Sequence, residues 1–167
     1  MHDVWNRYLK KLEKGECYYY PMNEADMRCQ LFTECLEEMR RKEFDKPYQI
    51  FAEDREIYEG KVADLAIGLR EEGRAFLAVE LKHHRKVEEI EEDIRKLHEA
   101  VKDKALWGVF LMLGLETYKY QVKLDLKALG IEEDGENSAF MWTKIKPKFR
   151  EFPSEALFVS MRHSQPQ

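Results

Sequence analysis

Asp64, Glu80 and Lys82 are the residues with which this chain could do chemistry. Side chains two apart on a strand share a face, so in the apolar run 75–82 Glu80 and Lys82 point one way and Leu81 the other. A second apolar run, 62–69, precedes it and carries Asp64. If Glu71, Glu72 and Gly73 form a three-residue hairpin loop, with Gly73 at the position that wants positive φ, Arg70 faces Arg74. Counting back along both strands then sets Asp64 directly opposite Glu80.

Two carboxylates and an ammonium thus meet in one patch. Opposed like charges on neighbouring strands destabilise a sheet, and a carboxylate in an apolar strand loses hydration. A divalent cation relieves both, because Mg²⁺ takes one or two carboxylates and completes its octahedron with water and substrate phosphate oxygens. The lysine suits the orientation or deprotonation of a water, or the steadying of charge on a phosphate. Read as the bland alternative, the hairpin simply carries scattered surface charge.

The elements that must position this patch follow from periodicity. A short helix over 4–12 carries Trp5, Tyr8, Leu9 and Leu12 on one side and stops at Gly15. The next helix starts at Asn23, a good N-cap with Asp26 in the first turn. Its stripe is Met27, Leu31, Phe32, Cys35, Leu36 and Met39, with Glu34 at the margin and Glu37 well outside. Glu24 falls near the middle of that stripe. It is either a helix-start residue paired with Arg28 at i+4 or a third carboxylate aimed at Asp64 and Glu80.

A short strand is expected over 48–52, then a polar loop over 53–60 into the hairpin. After Lys82 the period changes: Val87, Ile90, Ile94, Leu97 and Val101 mark a helix buried on one side. Its acidic run over 88–93 reads as a solvated face. Residues 106–113 are a nearly continuous apolar strand, covered on both faces. A helix is expected over 115–129 with Gly130 as its stop, then strands over 139–145 and 156–161. Strands joined by helices, with a parallel pair across the second long helix, predict an α/β fold with a mixed sheet flanked by helices.

Composition narrows the class. The chain has 167 residues, 37% of them charged and 44% apolar, which describes a globular domain that can bury a core. No repeat or linker divides it, so 1–167 reads as a single domain with a core at about 22–113 and a C-terminal appendage at about 114–167. No apolar stretch approaches a membrane span and the start lacks a signal-peptide h-region; no membrane partner and a cytoplasmic location are expected. Cys17, Cys29 and Cys35 form no CxxC pair, and Cys29 and Cys35 read as packing residues. The net charge of −5 argues against a protein that coats nucleic acid non-specifically. The cations are nevertheless clustered: His83, His84, Arg85 and Lys86 follow the Glu-x-Lys, and Lys144, Lys146, Lys148 and Arg150 alternate as one face of an extended segment would.

On Asp64, the Glu80-Leu81-Lys82 triplet and the order helix, three strands, helix, strand over about residues 22–113, the chain resembles the PD-(D/E)xK nuclease superfamily, the restriction-endonuclease-like fold. The resemblance implies an αβββαβ core and metal-dependent hydrolysis of phosphodiester bonds, most readily as a DNA endonuclease. It implies that Asp64, Glu80 and Glu24 hold Mg²⁺ or Mn²⁺, with the Leu81 carbonyl as a further ligand, and that Lys82 acts on the attacking water. His83, His84, Arg85, Lys86, Lys144, Lys146 and Lys148 would meet DNA phosphates, and a homodimer would match the many nucleases of this class that cut both strands. The alternative within the same fold is a catalytically inactive nucleic-acid-binding or assembly subunit. Ala63 departs from the proline some members carry before the aspartate, and no separate DNA-reading module is visible.

Overall fold

Trp5, Tyr8, Leu9 and Leu12 recur at helical spacing, and in the computed structural model they are the buried side of α1 (His2–Lys14). The structure describes residues 1–17, 19–43, 48–58, 61–69, 75–83, 87–103, 105–115, 138–151 and 153–162. Gly15 ends α1 in the left-handed region at φ 70°, as the sequence predicts. There the Lys148 stem lies so close that an added Cβ would meet its Cδ at 2.5 Å.

α2 (Glu24–Arg41) begins as expected: Asn23 Oδ1 accepts the Asp26 N–H at 2.9 Å, and Asp26 Oδ2 accepts the Met22 N–H at 3.0 Å. Met27, Leu31, Cys35 and Met39 are buried, but Phe32 and Leu36 are only half-buried and Glu34 and Glu38 are buried in their place. The cause is α1. Arg7 Nε bonds Glu34 Oε2 at 3.1 Å, Arg7 Nη1 bonds Glu38 Oε2 at 2.8 Å, and Lys11 Nζ reaches Glu34 Oε1 at 2.5 Å. Those ion pairs turn the packed face of α2 toward its charged side. Cys29, expected in the core, is exposed.

The remaining elements are β1 (Tyr48–Tyr58), β2 (Lys61–Leu69), β3 (Ala75–His83), α3 (Val87–Asp103), β4 (Ala105–Leu115), β5 (Ser138–Ile145) and β6 (Ser154–Arg162). They form one mixed six-stranded sheet in the order β1-β2-β3-β4-β6-β5. β3 and β4 are the parallel pair, joined across α3; the other neighbours are antiparallel. β1 runs well past the expected strand, through residues assigned above to a polar loop. An edge strand needs a backbone ladder on one side only, so it tolerates a polar sequence without apolar alternation. Of the helix expected over 115–129, Leu115 instead ends β4, paired with Ser154, and residues 116–129 lie outside the described residues.

Alternation on β3 sorts the core. Leu77, Val79 and Leu81 face α1 and α2 together with Leu65, Leu111 and Phe158. Ala78 faces α3, whose Ile90, Ile94, Leu97 and Val101 pack on Phe110, Met112 and Val159. Both faces of β4 are covered, which explains its unbroken apolar sequence. Gly108 of β4 allows α3 its close approach, since a Cβ there would meet Val101 Cγ2 at 2.5 Å. Among the described residues no helix is long and apolar enough to cross a membrane.

Candidate functional site

The β2–β3 ladder pairs Ile67 with Leu77, Ala66 with Ala78 and Leu65 with Val79, the register argued from the sequence; it shifts at Gly68↔Ala75, and the loop expected at Glu71, Glu72 and Gly73 lies outside the described residues. One step beyond Leu65↔Val79 come Asp64 and Glu80. Here the strands stop exchanging backbone bonds among the described residues, and the Leu81 N–H donates instead to Asp64 Oδ2 at 2.8 Å. A carboxylate thus takes over a main-chain donor that the parting strands release.

Three elements converge on this point. From β3, Lys82 Nζ bonds Glu80 Oε1 at 2.7 Å. From α2, Glu24 brings Oε1 to 3.8 Å of the same ammonium, and Arg28 Nη1 bonds Asp64 Oδ1 at 3.1 Å. From α3, Asp93 Oδ2 lies 3.6 Å from Lys82 Nζ. These six side chains are between 12% and 25% exposed, so the patch is sheltered but reachable.

Four carboxylates therefore face two cations. Burial raises Glu80 to about 7; Asp64 and Asp93 push the same way, and Lys82 opposes them. Asp64 is also raised by burial, against the lowering effect of the Leu81 N–H, Lys82 and Arg28. Burial alone would lower Lys82, but Glu80, Glu24 and Asp93 outweigh it and hold the ammonium above its ordinary value. The acids rise chiefly because they are buried, and Lys82 rises because the carboxylates around it outnumber the cations.

That deficit is the fit test for a metal. Among the described residues no three His, Cys, Asp or Glu donors converge as a ready cage. A hard divalent cation does not need one, since Mg²⁺ binds through one or two carboxylates plus water and phosphate oxygens. The facing Asp64 and Glu80, with surplus negative charge around them, fit such an ion.

Of the residues expected here, Asp64, Glu80, Lys82 and Glu24 are brought together. Arg28, read as a partner of Glu24, reaches Asp64. Asp93, read as part of a solvated face, is turned inward. On the helical wheel it lies about 40° from Leu97, but Glu91 lies as close to Val87 on the other side of the stripe, so periodicity alone does not single out Asp93. Its neighbour Lys96 pairs with Glu92 at i, i+4, at 2.5 Å, and lies 3.5 Å from Asp93.

The proposed phosphate contacts fare differently. His83 is a correction: it is 8% exposed, its ring centroid 6.1 Å from that of Tyr20, because the residue after Lys82 must face the opposite layer. His84, Arg85 and Lys86 lie outside the described residues. Lys144, Lys146 and Lys148 are exposed, yet β5 is the far edge of the sheet, three strands from β3 and roughly 14 Å away at the usual strand spacing. They do not form one extended face with Arg150. The chain turns at Pro147, whose carbonyl accepts the Arg150 N–H at 3.2 Å, and the Arg150 guanidinium lies 4.1 Å over the Tyr20 ring. Lys144 also lies 3.8 Å from Glu155.

In comparisons with known proteins, the chain matches no family model, no curated protein and no solved structure.

Proposed function

We propose that this chain is a metal-dependent phosphodiesterase, a DNA endonuclease with a restriction-endonuclease-like core formed by α2, β1, β2, β3, α3 and β4. The observation that carries the reading is the Lys82 ammonium gathered with Glu80, Glu24 and Asp93 beside Asp64, where β2 and β3 part. A structural salt bridge requires one partner. Four acids from four elements around two bases, with Glu80 raised to about 7, cost stability that a packed apolar cluster would not.

Asp64 and Glu80 would hold Mg²⁺ or Mn²⁺, with Glu24 near enough to assist through water. The bound ion would lower the pKa of a water and offset charge developing on the phosphoryl group. Glu80, Glu24 and Asp93 hold the Lys82 ammonium above its ordinary value, so Lys82 would donate hydrogen bonds that orient the attacking water or a phosphate oxygen. Glu80 and Asp93 fix the direction of that ammonium, and the Leu81 N–H fixes the plane of the Asp64 carboxylate.

The test is a panel of end-labelled duplex DNA, single-stranded DNA and RNA incubated with Mg²⁺, Mn²⁺ or EDTA. Shortened DNA in either metal, none in EDTA and none with Asp64→Asn is expected. RNA cut while DNA is spared would replace the substrate, and intact nucleic acid throughout would refute the reading.

A further inference from the structure

Both oxygens of Asp64 are engaged, and by partners of different kinds. Oδ2 accepts the Leu81 N–H at 2.8 Å, a main-chain bond fixed by the sheet. Oδ1 accepts Arg28 Nη1 at 3.1 Å, and that guanidinium arrives from another layer, one turn after Glu24 on α2, on a long side chain still 21% exposed. The first partner cannot leave without moving β3. The second can leave by rotating about side-chain bonds.

A guanidinium and a dication on the same carboxylate repel each other at a separation where little water screens them. The Lys82 ammonium is held by carboxylates from three elements, so it is tied to the patch as a whole and not to Asp64. We infer that Arg28 is the resident counter-cation of Asp64: it neutralises the carboxylate in the metal-free protein and is displaced when a divalent cation takes Asp64. This rests on the metal-dependent reading above. It also separates Arg28 from an ordinary positioning residue, because the two roles predict opposite signs. A partner that merely orients a ligand costs about 10–100-fold in metal affinity when removed. A competing cation, when removed, tightens it.

The experiment is calorimetric titration of the metal-free protein with Mn²⁺, alongside thermal unfolding with and without Mn²⁺, for the wild type, Arg28→Gln and Arg28→Lys. Arg28→Gln should bind Mn²⁺ about tenfold more tightly, the repulsion of one nearby unit charge in a partly screened site. Its metal-free Tm should fall, and the rise on adding Mn²⁺ should exceed that of the wild type. Arg28→Lys, which keeps the charge, should stay within about twofold of the wild type. Should the Gln variant lack the far-ultraviolet signal of the folded chain, Arg28→Met, which keeps part of the apolar stem, takes its place. Equal or weaker Mn²⁺ binding by the charge-free variant, with the wild type binding, overturns the role of Arg28 and leaves the metal-dependent reading standing. No Mn²⁺ binding by any of the proteins overturns both.

Discussion

Replacing Glu80 by glutamine should make the metal-free protein more stable, by an amount that depends on pH. Glu80 sits at about 7 in the folded chain against an ordinary 4.5, chiefly because it is buried, and its side chain is only 15% exposed. A raised acid binds its proton more tightly folded than unfolded. Its favourable contribution is therefore complete below pH 4.5 and is lost as the pH rises from 4.5 through 7. At 1.36 kcal/mol per pH unit the full loss is about 3 kcal/mol. Glutamine is shaped like the protonated acid and cannot ionise, so Glu80→Gln should match the wild type near pH 4 and exceed it by about 3 kcal/mol at pH 8. Urea unfolding of both proteins in EDTA at pH 4.5, 6 and 8 measures the difference, and groups common to both cancel. Adding Mn²⁺ at pH 8 should shrink the gap, since the cation restores the missing charge to the wild type. A difference that stays flat, or falls as pH rises, would refute the picture of a buried acid that ionises at a cost.

Other consequences are as concrete. Asp64→Asn and Lys82→Met should each lower cleavage by about 10²–10⁴-fold or more while leaving the circular dichroism of the fold unchanged. Arg7→Ala removes one of the cations holding Glu34 and Glu38, whose own cluster keeps Glu38 at about 2, first through Arg41 and then through Arg7. It should cost about 1–2 kcal/mol at pH 7, read by urea unfolding, with the deficit shrinking as pH falls from 4.5 toward 2 because a lowered acid stabilises only while ionised. Gly108→Ala should cost about 1–3 kcal/mol by forcing a Cβ against Val101, and the added change Val101→Ala should recover part of that loss.

Much of this was legible in the sequence because the signals were local. Asn23 and Gly15 mark helix ends by their own side-chain and backbone chemistry, and the register counted along the two apolar runs is the one that pairs Leu65 with Val79. The mixed sheet followed from the change of period after Lys82. Other features were decided by partners that one segment cannot reveal. The face of α2 depends on Arg7 and Lys11, so Glu34 and Glu38 are buried against expectation. β1 depends on having β2 as a neighbour, so it is longer than its apolar stretch. His83 was legible and was misread: the alternation that aims Lys82 at the acids aims the next residue away. The basic row ending at Arg150 failed because Pro147 begins a turn there. Asp93 needed the third dimension, since only the packing of α3 over β3 brings it to Lys82.

The most direct measurement is nicking of supercoiled plasmid by the purified protein in Mn²⁺, beside Lys82→Met under the same conditions and wild type in EDTA. The account predicts open-circular and linear DNA with the wild type in Mn²⁺, and intact supercoiled DNA in the other two. Equal nicking by wild type and Lys82→Met, or nicking that survives EDTA, would contradict it.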